Sequence, residues 1–316
     1  MSWIFISSGA FLGWALGAND AANVFGTAVG TRVIRFRTAV CICAAAILIG
    51  AIREGQYGIG KLGGYAAINS VNTGLAAFVV MLAAGLTVTV FTFMKLPVST
   101  SQCVIGSIIG WGLSHGTADF SETASFVSAW VVTPFGSMVA CFILCKMYEM
   151  FVESKIKGLA QLDFIIKAGY MVSGALASYS LGASNVANAT GIYLNVPGIF
   201  DSAFQAALVG GIAIALGVLT YSKPVMFTVG EGITQLSPVS GFLVVLSCIF
   251  IVYPYALIGI PVSVSQAVIG AVIGAGLVKG VRMVKFRVLK NIALAWFATP
   301  IIPGIISFAF GTWLRI

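Results

Sequence analysis

The sequence predicts an all-α polytopic membrane protein, built as an inverted-topology repeat of two five-segment halves. Three observations support this prediction. The 316 residues are 59% hydrophobic and only 8% charged, with a mean hydropathy of +1.04, whereas a soluble domain carries about 25% charged residues. Ten apolar segments follow one another along the chain. Three sequence blocks of the first half recur, in the same order, in the second half.

The ten apolar segments mostly have lengths near the roughly 20 residues that a membrane-spanning helix needs. They cover residues 3–34, 38–52, 74–94, 97–114, 124–145, 164–195, 202–222, 239–258, 261–278 and 291–314. The segments at 97–114 and 261–278 are either full crossings or arms of re-entrant hairpins. The first segment lacks a basic start and a cleavage site, so we expect a retained helix and not a signal peptide.

The first segment contains a polar stretch, Gly17–Gly26, which we call the first signature block. A charge at the centre of a membrane helix costs about 2.5–3.5 kcal/mol on insertion scales, so Asp20 must face protein, water or a ligand. Because Gly17 lets the backbone bend and because Asn and Asp cap helices well, we expect a broken helix here, with a new helix starting after Asp20.

A second signature block at residues 182–191 repeats the first one 165 positions later. Asn185 stands where the first block has Asp20, and Asn188 stands where it has Asn23. A polar break that occurs once in each half indicates the binding site of a transporter.

Two further blocks recur with nearly the same offset. The sequence PVSTSQ at 97–102 returns as PVSVSQ at 261–266, and AWVVTP at 129–134 returns as AWFATP at 295–300. Five segments per half is an odd number, so the second half is turned upside down in the membrane. The predicted organisation is a first repeat at 1–145, a cytoplasmic linker at 146–163 and a second repeat at 164–316.

The distribution of basic residues predicts the orientation. If both termini lie outside the cell membrane, all but three of the 17 basic residues fall in connections on the inside. The exceptions are Arg53, Lys61 and Arg315, and the opposite orientation would violate the positive-inside rule. The net charge of +8 therefore has an explanation that requires no nucleic acid.

The PVSxSQ blocks predict an anion site. Proline cannot continue a preceding helix, and Ser or Thr can cap the next one. Together with the signature blocks, four helix N-termini would then point at one space, which suits an anion without any basic residue. The candidate substrate ligands are Asp20, Asn23, Ser99, Thr100, Ser101, Gln102, Asn188, Ser263, Ser265 and Gln266.

The signature blocks also predict a cation site, because carboxylate and carbonyl oxygens suit a hard cation such as Na⁺. Asp20 could instead carry a proton. The candidate sodium ligands are Asn19, Asp20, Asn23, Ser184, Asn185 and Asn188.

Other features have structural explanations. The GxxxG pairs are typical of close packing between membrane helices, and they lie at Gly26 and Gly30, Gly106 and Gly110, and Gly270 and Gly274. Arg53 and Glu54 resemble a loop pair, or a charged pair at the rim of a pathway. The six cysteines lie in apolar runs without a CxxC pair, which favours small buried residues over a metal site or disulfides.

The sequence GANDAAN at 17–23 resembles the signature of the inorganic phosphate transporter (PiT) family. The resemblance covers essentially the whole chain, including the second signature block, both PVSxSQ blocks and the run from Val225 to Pro238. It implies an inverted-repeat transporter that couples phosphate uptake to Na⁺ or H⁺, forms a homodimer and has no organic cofactor. Two departures stand out: Asn185 replaces a second Asp, and Gln102 and Gln266 stand where many members have His.

These observations predict a secondary active transporter for a tetrahedral oxyanion. The first hypothesis is symport of inorganic phosphate with a cation, Na⁺ being favoured over H⁺, and the alternative is a sulfate permease of the same superfamily. An anion channel is less favoured, because the polar groups cluster at two depths in the membrane, which recur in both halves, and do not line a continuous pore. An enzyme is not expected, because a hydrolase needs an activated nucleophile or a metal cluster, and the chain has one histidine and no carboxylate cluster.

Overall fold

The computed structural model describes residues 2–94, 98–232, 236–278, 280 and 286–314. This part of the chain is helical, without strands. Its ten α-helices are α1 (Ile6–Gly30), α2 (Phe36–Ile68), α3 (Gly74–Phe93), α4 (Thr100–His115), α5 (Thr123–Phe151), α6 (Leu159–Thr190), α7 (Ala203–Gly232), α8 (Pro238–Leu257), α9 (Val264–Val278) and α10 (Phe286–Trp313).

Each helix corresponds to one of the ten predicted segments, and the all-α polytopic fold class is confirmed. Six helices of the described chain are long and apolar enough to cross a membrane. Three short 3-10 helices accompany them, at Ser2–Phe5, Glu153–Lys155 and Gly191–Asn195. Some residues used in the sequence arguments lie outside the described ones, namely Lys95, Pro97, Ile233, Thr234, Gln235, Lys279, Arg282, Lys285 and Arg315.

The predicted helix break in the first signature block is wrong, because α1 runs without interruption from Ile6 to Gly30. The glycine that suggested a bend serves close packing instead. A methyl group on Gly17 would lie 1.9 Å from the carbonyl oxygen of Ile214 on α7. Glycine at this position therefore lets two helix backbones touch.

The predicted break in the second signature block is wrong for the same reason. Helix α6 continues to Thr190 and passes directly into a 3-10 helix. A methyl group on Gly182 would lie 2.0 Å from the carbonyl oxygen of Ile47 on α2. The two glycines thus make equivalent contacts in the two halves.

The predicted second segment, 38–52, was too short, since α2 extends to Ile68. Arg53 and Glu54 are therefore helical residues, and the expectation of a loop pair was wrong. Glu54 Oε1 accepts a hydrogen bond of 2.9 Å from the hydroxyl of Tyr253 on α8. Lys61 forms an ion pair of 3.4 Å with Glu122 near the start of α5. These charges lower the local hydropathy of a segment that is nevertheless helical, and two of them, on Glu54 and Lys61, contact residues of other segments.

The connection between the two halves is shorter than the predicted linker at 146–163. Helix α5 ends at Phe151 and α6 begins at Leu159. Two exposed ion pairs lie on the helical parts, Lys146 with Glu149 and Lys167 with Asp163. The helices thus continue beyond the apolar stretches that the sequence marks.

The packing of the helices repeats when each one is exchanged for the helix five positions further along. The contact of α1 with α7 corresponds to that of α6 with α2, and α4 with α10 corresponds to α9 with α5. The pairs α1 with α3 and α6 with α8 correspond in the same way, and α1 packs on α6. This exchange supports a duplicated chain; the boundaries of the repeats and their opposite orientation in the membrane stay predictions.

Glycines also hold the pairs that carry the PVSxSQ blocks. A methyl group on Gly106 would lie 2.0 Å from the carbonyl oxygen of Pro300, and one on Gly270 would lie 2.0 Å from that of Pro134. Gly110 and Gly274 make similar contacts one turn further along. The small-residue packing expected of these four glycines is confirmed.

Candidate oxyanion and cation site

Asp20 and Asn23 lie one turn apart on α1. Asn23 Nδ2 donates to Asp20 Oδ1 at 3.2 Å and to the hydroxyl oxygen of Ser265 at 3.0 Å. Asp20 is 4% exposed, and Ser265 lies in the first turn of α9. The first signature block of one half is therefore hydrogen-bonded to the PVSVSQ block of the other half.

Asn185 and Asn188 occupy the corresponding positions on α6. Asn188 Nδ2 donates to Asn185 Oδ1 at 2.9 Å, and both residues are buried. Within the described chain, Asn188 Oδ1 and Asn185 Nδ2 have no hydrogen-bond partner. A buried polar atom without a partner costs about 1–3 kcal/mol, so these two atoms are available to a ligand.

The caps predicted for the PVSxSQ blocks are confirmed. Ser99 is the N-cap of α4, and its hydroxyl accepts from the backbone N–H of Gln102 at 3.4 Å. Ser263 does the same for Gln266 on α9, at 3.2 Å. The hydroxyl oxygens of Ser99 and Ser101 also lie 3.2 Å apart. Each block thus begins a helix with its free N–H groups and several hydroxyls buried together.

The number of helix N-termini at the site differs from the prediction. Because α1 and α6 are unbroken, the signature blocks contribute side chains and not helix starts. Helices α4 and α9 supply the N-termini. The start of α9 reaches the first signature block through the hydrogen bond between Ser265 and Asn23, and α4 likewise contacts α6 of the opposite half.

Two candidate cation ligands have other partners. Asn19 is half-buried, and its Nδ2 donates to Thr92 Oγ1 on α3 at 2.9 Å. The hydroxyl of Ser184 donates to the carbonyl oxygen of Leu181 on its own helix at 3.4 Å. Sequence reasoning did not identify Thr92, because the threonines of the apolar helix α3 belong to no motif. The role of Asn19 and Ser184 in cation binding stays a prediction.

The site is weakly charged. Among the candidate ligands, Asp20 is the one ionisable side chain, and the described residues contain no group of three or more His, Cys, Asp or Glu side chains that could hold a metal ion. The remaining groups are amides, hydroxyls and backbone N–H groups. Such a site suits a monovalent cation bound by neutral oxygens and one carboxylate, next to an anion bound by N–H and O–H donors.

Apolar helices around a buried polar cluster, with short helices starting at that cluster, define a polytopic membrane transporter. The chain belongs to the phosphate transporter family, because the model of that family matches residues 16–307. Family and fold together indicate a transporter and not an enzyme.

Two relatives have instructive names. A protein of Methanocaldococcus jannaschii named "Putative phosphate permease" is 29% identical, and the match covers 94% of this chain and 93% of that protein. The sulfate permease CysP of Bacillus subtilis is 26% identical, with 94% of this chain and 84% of that protein covered. The relatives of this chain therefore include proteins named for both oxyanions.

A solved structure has the same fold. It is described as the sodium-dependent phosphate transporter, and it superimposes with a TM-score of 0.82 at 24% sequence identity. The superposition covers 99% of this chain and 98% of that chain. The likeness thus extends to the whole helical architecture.

Proposed function

We propose that this protein is a secondary active transporter that moves inorganic phosphate across the membrane together with a cation. Na⁺ is the favoured coupling ion, and H⁺ is the second candidate. The observation that carries the proposal is the Asn23 side chain, which joins the carboxylate of Asp20 to Ser265 at the start of α9. A cation at Asp20 and an anion at the start of α9 would therefore be close neighbours.

The proximity of the two ions gives a physical reason for symport. When no cation is bound at Asp20, its carboxylate repels an approaching anion. A cation at Asp20 removes this repulsion, and the anion in turn favours the cation. The coupling is reciprocal, so each ion increases the affinity for the other by the same factor.

The proposed anion ligands are the side chains and N–H groups at the two helix starts, from Ser99 to Gln102 and from Ser263 to Gln266. The positive end of each helix dipole faces this region. The burial of these side chains strengthens their interaction with a charged ligand, because water screens it less.

The proposed cation ligands centre on Asp20 and Asn23 in the first half and on Asn185 and Asn188 in the second. The two sets differ mainly in charge, since Asn185 offers an amide oxygen where Asp20 offers a carboxylate. We infer that the second half binds its cation more weakly or not at all.

The remaining parts of the proposal concern the assembly. The protein would lie in the cell membrane as a homodimer, with both termini outside and its two halves inverted relative to each other. The distribution of basic residues supports the orientation, and the exchange symmetry of the helix packing supports the duplication.

Sulfate is the second candidate substrate. The relative named as a sulfate permease favours it, and sulfate has the same tetrahedral shape. Phosphate is preferred because the signature resembles that of the phosphate transporters, and because the M. jannaschii relative and the solved structure are named for phosphate.

Uptake into proteoliposomes tests the proposal. Purified protein would be reconstituted, and uptake of radiolabelled phosphate and sulfate would be compared under a Na⁺ gradient alone and under an H⁺ gradient alone. We expect phosphate uptake to be driven by Na⁺. Uptake of sulfate but not phosphate would establish the alternative, and uptake that neither gradient stimulates would contradict coupled transport.

A further inference from the structure

Two glutamines at equivalent positions have unused acceptors. Gln102 on α4 and Gln266 on α9 each lie three residues after the capping serine, and they are 5% and 2% exposed. The side-chain Oε1 of each has no hydrogen-bond donor among the described residues. The same unsatisfied atom therefore occurs once in each half, in the blocks proposed to bind the anion.

A buried acceptor without a donor is unfavourable, and its occurrence in both halves argues against an accident of packing. The oxygen of an amide can only accept hydrogen bonds. A fully ionised oxyanion also offers only acceptors, so it would be repelled by such an oxygen. An anion that satisfies Oε1 must bring a proton of its own.

Phosphate brings such a proton and sulfate does not. At neutral pH phosphate retains one or two P–OH groups, whereas sulfate has lost both protons. On the basis of the proposed function, we propose that Gln102 and Gln266 accept hydrogen bonds from the P–OH groups of phosphate. They thereby select protonated tetrahedral oxyanions, such as phosphate and arsenate, over sulfate and selenate.

The other ligands of the proposed site do not discriminate in this way. Backbone N–H groups at the starts of α4 and α9 donate to any oxyanion. The hydroxyls of Thr100, Ser101 and Ser265 can rotate and either donate or accept. The two amide oxygens are therefore the groups that distinguish the two kinds of anion.

The test replaces each glutamine by methionine, which keeps the length of the side chain and removes its polar atoms. The matched control is Gln205→Met at the start of α7, an exposed glutamine whose Oε1 accepts from the backbone N–H of Asp201 at 2.9 Å. Binding of radiolabelled phosphate to purified protein would be measured at neutral pH and fixed Na⁺ concentration. Unlabelled phosphate, arsenate, sulfate and selenate would serve as competitors.

We expect Gln102→Met and Gln266→Met each to weaken phosphate and arsenate binding about 10- to 100-fold, the size of a lost hydrogen bond to a charged ligand. Sulfate and selenate should compete at least as well as they do with the wild type, because the oxygen that repels them is gone, so the selectivity ratio falls. The Gln205→Met control should keep the wild-type affinities for all four anions.

Equal weakening of all four anions would overturn the proposal, because it would mean that the amides donate N–H groups to any oxyanion. Unchanged phosphate binding would also overturn it. If a methionine variant does not fold, the replacement at that position is Gln→Asn, which shortens the side chain by one methylene and withdraws its oxygen. This variant must also lower the selectivity for phosphate over sulfate. A wild type that binds sulfate but not phosphate would instead refute the proposed function.

Discussion

Replacing Gly106 by alanine should separate α4 from α10 and displace the helix start that carries Ser99–Gln102. The new methyl group would lie 2.0 Å from the carbonyl oxygen of Pro300, whereas an ordinary contact needs at least 3.4 Å. The two backbones must therefore move apart by about 1.4 Å, the difference between these distances. Neither atom belongs to a flexible side chain, so no rotamer change can relieve the clash.

Overpacking of this kind costs about 1–3 kcal/mol. At about 2.1 cal/mol/K of unfolding entropy per residue, 1 kcal/mol corresponds to about 1.5 °C in melting temperature for 316 residues, so we expect Gly106→Ala to melt about 1.5–4.5 °C lower. Gly270→Ala should lower it by a similar amount, because its methyl group would lie 2.0 Å from the carbonyl oxygen of Pro134. Phosphate binding should weaken in both variants.

The matched control is Gly64→Ala in α2, where a methyl group would meet nothing within 4 Å. Alanine is a better helix former than glycine by about 0.5–1 kcal/mol, so this variant should melt at the same temperature or slightly higher. Thermal unfolding of the three purified variants, followed by intrinsic fluorescence in one detergent, checks the prediction. If Gly106→Ala melts like Gly64→Ala, the close approach of α4 and α10 is refuted.

Four further predictions concern the ions and the orientation. Asp20→Asn should abolish the dependence of anion affinity on Na⁺ concentration, because the neutral side chain no longer repels the anion; full retention of that dependence would place the coupling ion elsewhere. In the same titration Asn185→Asp should tighten cation binding. Ser265→Ala should weaken phosphate binding about 10- to 100-fold, since a hydrogen bond to a charged group contributes about 1.5–3 kcal/mol; unchanged affinity would exclude this hydroxyl from the site. Single cysteines at positions 38 and 117 of a cysteine-free protein should label from opposite sides, and labelling from one side would contradict the predicted orientation.

The sequence alone predicted the features that depend on local interactions. Ten apolar stretches became ten helices, because a segment surrounded by lipid or apolar protein must satisfy its backbone hydrogen bonds within itself. A capping hydroxyl in the PVSxSQ blocks followed from residue type, with Ser99, Thr100 and Ser101 as alternatives in the first block. The structure places the caps at Ser99 and Ser263, whose hydroxyls accept from the N–H group three residues further along.

The tertiary structure decided how the buried polar groups are satisfied. The sequence showed that Asp20 and Asn23 need partners, but a broken helix and a neighbouring side chain were both possible. Ser265 supplies the partner of Asn23, and Gly17 packs against Ile214 and does not bend. Contacts between residues far apart in the chain produce no periodicity or spacing in the sequence. For this reason, only the packed structure shows that α1 and α6 are unbroken helices.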